Sequence, residues 1–370
     1  MFPYLFLLLI TAVIPLIAYQ RRGVYATCDY SYLVEKRNHM TVFLFFMGLF
    51  VLLSLRDYTI GRDLAEYRYI FEICEVTAFN DLSDLRWENG YTVYNKLVTF
   101  ITGDYRLFLI ITALITVVPI YKLYSKEKKY SLLSIVIFIN MPCFLIIFSG
   151  LRQAIAISIG IFVYMAIENK RYILSGLLLL LAVSFHVSAF VLILLYPIFF
   201  WKIKTNHLIY IIPVLLGVYA FRIPIFTLIL SVSPEHYIEY YGEVQQTGAF
   251  GMMILFVIFV VFSFVILDES VMSKRDYFLR NILLIAAIFQ LFVPIHGLIQ
   301  RASYYFLIFV PISLLSVVQA PKKRLKSISN LAVAVMGVFF VGYFFMNATY
   351  STDNLLDVFP YKFFWSGMGW

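Results

Sequence analysis

The sequence predicts an all-helical, polytopic integral membrane protein, and three observations carry that prediction. Its 370 residues are 62% hydrophobic, well above the roughly 45–50% of ordinary globular chains. Mean hydropathy is +0.88. Apolar runs recur from Phe2 to Met346, each about 15–20 residues long and so near the length that crosses a hydrocarbon core of roughly 30 Å as a helix. A soluble enzyme is excluded. Only 14% of the residues are charged, so those positions belong in loops or in a protein-lined cavity and carry most of the functional information.

Taken in order, the runs place helices near Phe2–Tyr19, Met40–Leu55, Leu107–Tyr124, Ser131–Phe148, Arg152–Ile167 and Tyr172–His186. They continue near Ser188–Trp201, His207–Arg222, Phe250–Leu267, Arg280–Leu298, Ala302–Val318 and Ile328–Met346, which makes about twelve spans in a single membrane domain, 1–370. The first run lacks the basic start of a signal peptide and is followed by Arg21 and Arg22, so it reads as a retained span. The second ends where Arg56 opens a polar stretch. Lysine-rich turns containing Lys122, Lys129, Lys170, Lys202, Lys274 and Lys322 punctuate the later runs. Two junctions, at Ser149–Leu151 and at Val187, have no room for a loop, so the helices meeting there are read as re-entrant or tilted.

Orientation follows from lysine and arginine bias. Most of the 29 basic residues fall in one set of alternate loops, which is therefore the cytoplasmic side, and both termini face outward. The outer set is Arg56, Arg62, Arg68, Arg86, Lys96, Arg106, Arg152, Arg222, Arg301 and Lys362, nearly all arginine, whereas the inner set is lysine-rich. Topology needs only positive charge. A planar fork of donors is the better choice for holding phosphate or carboxylate, so the arginine bias points to an anionic ligand outside. The net charge of +8 needs no nucleic acid, since basic inner loops explain it. Cys28, Cys74 and Cys143 are too scattered for a disulfide framework or a metal site.

Two outer segments have soluble character. The large loop, 56–106, carries Tyr67, Ile70, Phe71 and Cys74 at helical spacing, an amphipathic helix lying on the membrane or capping a cavity. Asp63 stands where it can cap that helix, and Gly61 permits the turn before it. The second outer loop, 223–249, contains Glu235, His236, Glu239, Glu243 and several tyrosines, a candidate lid. Within the first loop, Trp87-Glu88-Asn89-Gly90-Tyr91 sets a carboxylate beside aromatic surface, a combination suited to sugar rings.

Three outer helix junctions carry the remaining chemistry. Ser149-Gly150-Leu151-Arg152-Gln153 wedges an arginine between apolar helices, where an unpaired guanidinium costs about 2.5–3.5 kcal/mol on insertion scales. It therefore faces a wet cavity or holds an anion, unless it snorkels to the interface. Gln153 adds neutral donors and acceptors. His186, in Phe185-His186-Val187-Ser188-Ala189, and His296 with Arg301, in the run from Pro294 to Tyr305, mark the other two. A histidine in such a place reads either as structural or as a proton acceptor. There is no glycine-rich phosphate loop, HExxH or cysteine metal pair, so cytosolic ATP or a nucleotide sugar is not the direct reactant. A lipid-linked donor reaching an outward site is expected instead.

These residues resemble the EpsG family of bacterial exopolysaccharide polymerases, relatives of the Wzy polymerases that extend O-antigen and capsule chains. The resemblance rests on Arg56 with Gly61-x-Asp63-x-x-x-Tyr67-x-x-x-Phe71, on Glu88-x-Gly90-Tyr91, on Gly150-Leu151-Arg152-Gln153, on His186-x-Ser188-Ala189, and on Arg301 with Tyr304 and Tyr305. Leu64 departs from it, since the family pattern often has threonine or a small polar residue there. The resemblance implies a GT-C-like architecture and glycosyl transfer on the outer leaflet of a bacterial cytoplasmic membrane. The growing glycan leaves an undecaprenyl pyrophosphate carrier and joins the non-reducing end of a new lipid-linked repeat unit, by direct displacement with inversion. Arg152, Arg301 and Arg56 suit the charge that grows on the departing pyrophosphate. Asp63, Glu88 and His186 are alternative bases for the acceptor hydroxyl.

The expected catalytic set is thus Asp63, Glu88, Arg152, His186 and Arg301, with Arg56, Tyr67, Tyr91, Gln153, His296 and Tyr305 contacting substrate. No cofactor or metal is expected. Expected partners are the undecaprenyl-pyrophosphate-linked oligosaccharide, membrane lipid, and flippase and chain-length regulator proteins. Two rival readings are a lipid-linked oligosaccharide flippase and a membrane O-acyltransferase that modifies the glycan. The second needs a histidine on the inner side, where His39 stands without a supporting motif.

Overall fold

The computed structural model describes residues 2–23, 30–127, 129–231, 249–294, 297–350 and 355–366. The described chain is helical, apart from isolated antiparallel pairings of Arg56 with Phe363 and of Leu267 with Pro321. It divides into two compact units, Met1–Leu192 with Val335–Trp370, and Ile193–Ala334.

The first unit holds α1 (Phe2–Gly23), α2 (Tyr30–Leu55), α3 (Leu64–Val76), α4 (Asn89–Thr99), α5 (Tyr105–Tyr124), α6 (Ser131–Ile139), α7 (Pro142–Ser149), α8 (Leu151–Glu168) and α9 (Tyr172–Phe185). Its framework is α2, α5 and α8, with α1 packed on α2 and α9 on α8. Asp104 starts α5 by accepting a 2.7 Å hydrogen bond from the Arg106 amide, the usual N-cap device. Small residues on α8 let neighbours approach closely, as at Gly160, where a Cβ would fall 2.9 Å from the Leu192 side chain.

Among the described residues, four helical segments are long and apolar enough to cross a membrane, and up to seven are if each of three bent pairs counts as one span. Three shorter apolar helices, Phe2–Ala18, Tyr172–Phe185 and Phe250–Ile266, accompany them. The protein is a multi-spanning helical membrane protein. The bent pairs explain where the apolar runs depart from simple rods. The run expected at Ser131–Phe148 is α6 and α7, bent by 65°. Pro142 at the start of α7 cannot donate to the helix before it. Asn140 fills the break, its amide donating to the carbonyls of Val136 at 2.7 Å and Phe340 at 3.0 Å.

The loop 56–106 is built on α3 and α4. The expected amphipathic helix is α3, which buries Leu64, Tyr67, Ile70, Phe71 and Cys74. Its approach is held by the closing segment of the chain. Gly61 and Arg62 donate backbone hydrogen bonds to Asp357 and Leu356, Asp57 donates to Lys362, and Phe364 donates to Leu55, all at 2.9–3.1 Å. The Tyr361 hydroxyl adds a 2.7 Å bond to the Leu52 carbonyl.

The second unit contains α10 (Leu195–Phe200), α11 (Leu208–Ala220), α12 (Arg222–Ser231), α13 (Ala249–Ile266), α14 (Lys274–Phe292), α15 (Gly297–Leu307), α16 (Val310–Gln319) and the start of α17 (Lys326–Tyr350). Here one expectation is corrected. Arg280, read as a loop cation opening a helix, lies inside α14 and is buried, because α14 begins six residues earlier at a Ser273–Asp276 capping box. Its guanidinium pairs with Glu269 at 2.9 Å and donates to the Ile203 carbonyl, while Asn281 donates to Ile198 and Trp201. Of the segment 223–249, expected to be a second outer loop, residues 232–248, with the candidate lid, lie outside the described residues.

Candidate active site

Glu88 is the centre of the candidate site. It sits at the N-cap position of α4 but makes no cap bond with its side chain. One carboxylate oxygen, Oε1, lies 3.0 Å from His186 Nδ1, and Oε2 accepts from Arg152 Nη1. Each partner comes from a helix end: Arg152 from the first turn of α8 and His186 from the position after α9, where the backbone turns extended. Gly90 makes the approach possible. A Cβ there would stand 2.2 Å from Ser184 Oγ and 2.7 Å from the Ser184 carbonyl, so α4 reaches the end of α9 only because residue 90 has no side chain.

The three side chains are partly buried, with 12% of His186, 20% of Glu88 and 26% of Arg152 exposed. Burial pushes the Glu88 carboxyl up, but the His186 hydrogen bond and the Arg152 charge outweigh it and hold the group at about 2. Glu88 is therefore ionised and accepts only, which requires a proton on His186 Nδ1 and leaves Nε2 of a neutral ring as the lone-pair nitrogen. Arg152 keeps a buried Nε without a hydrogen-bond partner. Its guanidinium carbon lies 5.9 Å from the centre of the Tyr67 ring, which meets Tyr91 edge-on at 5.6 Å. Burial raises the pKa of both tyrosines, opposed at Tyr67 by Arg152, so both hydroxyls stay protonated.

Asp63 is placed by a second close approach. Gly61 has φ +107° and would carry a Cβ 2.4 Å from the Phe148 carbonyl oxygen, so the loop lies against the end of α7. Asp63 occupies the N-cap position of α3, yet its side chain does not make the expected cap bond. It accepts instead from Ser149 Oγ at 3.1 Å, while Ser149 Oγ accepts from the Asp63 amide at 3.3 Å. Arg56 is fully enclosed, its Nε and Nη1 lack hydrogen-bond partners, and it stands 5.7 Å from the Phe148 ring. Burial lowers its pKa to about 10, with Tyr105, Tyr361 and Tyr4 opposing the shift. Arg106 shields the same corner, donating to the carbonyls of Ser54 and Arg56.

Of the eleven residues expected at the site, the first unit brings Glu88, Arg152, His186, Tyr67 and Tyr91 into one constellation. Asp63 is held beside it by Ser149, next in sequence but one to Leu151. Gln153 is buried on α8. Arg301, exposed, and Tyr305, buried, lie on α15 of the second unit. His296 lies outside the described residues. Ser149, Ser184 and Arg106 were not singled out in the sequence. The serine and glycine of Ser149-Gly150 did hint at a polar junction and Arg106 stood only among the outer arginines, whereas Ser184 carries no signal of its own. Among the described residues no group of three or more histidine, cysteine, aspartate or glutamate side chains is gathered to hold a metal ion.

A multi-spanning helical protein that plants a carboxylate, a histidine and an arginine among tyrosines at its helix ends has the makings of a membrane-embedded group-transfer enzyme. The family comparison names the kind. The EpsG family model matches residues 39–363, and the chain belongs to that family, with its general role in polysaccharide polymerisation by glycosyl transfer. The match runs through the candidate site and includes the closing segment that anchors Gly61. No curated protein and no solved structure matches the chain.

Proposed function

We propose that the protein joins undecaprenyl-pyrophosphate-linked repeat units on the outer face of a bacterial cytoplasmic membrane, with Glu88, His186 and Arg152 at the centre of the reaction. The observation that carries this reading is the Glu88 carboxylate hydrogen-bonded to both His186 and Arg152. His186 Nε2 takes the proton of the acceptor hydroxyl as its oxygen bonds to the anomeric carbon. The bond from that carbon to the pyrophosphate oxygen breaks, and the electron pair leaves with the lipid pyrophosphate. Glu88 holds the imidazole in the tautomer that exposes Nε2 and balances the imidazolium that forms. Arg152, with its unpartnered Nε, is assigned to the leaving pyrophosphate. Asp63 is assigned to ordering the acceptor, and Tyr67, Tyr91 and Gln153 to sugar contacts. Arg56, Arg301, His296 and Tyr305 are assigned to substrate on their residue types. The reading includes a GT-C-like bundle of about twelve spans with outward termini, and flippase and chain-length regulator proteins as partners.

Purified protein in lipid nanodiscs, supplied with undecaprenyl-pyrophosphate-linked repeat units, is expected to give a ladder of polymers that His186→Ala slows by about a hundredfold. A lipid-linked substrate that crosses vesicles without gaining length would mark a flippase. A normal ladder from His186→Ala would remove the histidine from the mechanism.

A further inference from the structure

Away from that site, the first unit has a half-open hollow of about 550 Å³ between α1, α2 and the start of α6, inside the roughly 300–1,000 Å³ range of small-molecule sites. Its walls are apolar, including Leu16 from α1 and Val34 from α2, and its polar part gathers Arg37, Lys129 and Ser131. The Ser131 hydroxyl is completely buried and has no hydrogen-bond partner. Ser131 also opens α6, whose N-cap residue Tyr130 is left-handed, at φ 57°, and supplies no side-chain cap. Two cations, an unpartnered hydroxyl and the positive end of a nine-residue helix therefore line one cavity.

We infer that this hollow binds an anionic glycerophospholipid, its phosphate at the α6 start between Arg37 and Lys129 and its acyl region along α1 and α2. Charge complementarity selects the headgroup, because each donor at the polar end favours an oxyanion and, among the described residues, no carboxylate lines the cavity. The walls select a lipid over a soluble anion, since α2 includes a segment, Tyr32–Leu55, long and apolar enough to cross a membrane. Basic pockets between membrane helices are suited to acidic lipid headgroups for this reason. The site uses none of the residues assigned to glycosyl transfer, so it stands or falls separately.

Native mass spectrometry of the whole protein, delipidated and titrated with phosphatidylglycerol or with phosphatidylcholine of the same acyl chains, tests the inference. Phosphatidylglycerol is expected to bind about tenfold more tightly or better, and Arg37→Gln with Lys129→Gln to weaken it about thirtyfold, roughly fivefold for each cation. Phosphatidylcholine binding should not change. Lys129 is exposed, so Lys129→Gln alone decides the matter, at about fivefold, if the double variant fails to fold. Ser131→Ala is expected to weaken phosphatidylglycerol by about threefold. Equal affinity for the two lipids, displacement by millimolar inorganic phosphate, or displacement by an equal concentration of polyprenyl phosphate would each overturn it.

Discussion

Replacing Glu88 with glutamine keeps the side chain's shape and removes the charge that both neighbours use. In the wild type the carboxyl is held at about 2 instead of its ordinary 4.5, a displacement worth about 3 kcal/mol. The amide retains one acceptor oxygen. Its other position becomes a donor, so either the Arg152 bond is lost or the imidazole turns to the tautomer that accepts at Nδ1, which puts the proton on Nε2 and removes the lone pair assigned to the acceptor hydroxyl. Arg152 is left partly buried without its counter-ion. The loss is smaller than the roughly 3–5 kcal/mol of a fully enclosed pair, because 26% of the arginine and 20% of the glutamate side chain reach solvent. About 2–3 kcal/mol remains, which on the transition state is a rate reduction near a hundredfold. The assay is the initial rate of ladder formation in nanodiscs, with helical content and elution volume unchanged. His186→Ala and the double variant should fall to the same level, since groups acting as a unit are not additive. A Glu88→Gln protein polymerising within about twofold of wild type, or single losses that multiply in the double variant, would refute the reasoning. The pH profile offers a further check. Because its pKa is depressed, the carboxylate's contribution is complete above about pH 4.5 and is lost only as pH falls toward 2. Any acid limb above pH 5 therefore belongs to another group.

Three further outcomes follow from the same geometry. Arg152→Lys keeps a cation but not the fork that meets Glu88 while presenting Nε elsewhere, and a loss of about a hundredfold in ladder rate is expected; near-normal activity would show that only charge is needed. Gly90→Ala drives a Cβ into Ser184, so a loss of at least about 1 kcal/mol in stability is expected with a disproportionate fall in activity. Ser184→Ala should not restore it, because the Ser184 carbonyl still lies 2.7 Å away. Gly61→Ala meets both a left-handed backbone and the Phe148 carbonyl, and thermal unfolding in detergent should register at least about 2 kcal/mol of destabilisation.

The apolar runs, the amphipathic face of α3 and the polar junctions at Arg152 and His186 were legible in the sequence, because each is a local pattern of a few residues. The pairings among them were not. Glu88 is 64 residues from Arg152 and 98 from His186, and only the packing of α4 against α9, decided at Gly90, selects those contacts. Asp63 shows the same limit. Its position before a helix invites a cap, but Ser149, brought across by Gly61, offers a better-placed hydroxyl. The expectation that charges sit in loops or in a protein-lined cavity did not single out Arg280, whose neighbours Glu269 and Ile203 make burial tolerable and could not be foreseen from one helix.

The segment 355–366 bears on how the molecule is made. Translation delivers these residues long after residues 57–62, yet Asp57, Gly61 and Arg62 take their backbone partners from them. Helices inserted early must therefore wait with an unfinished turn before α3 until residues 355–366 have been made. The turn that carries Asp63 is thus set by partners far along the chain, and insertion of α2 alone does not complete it.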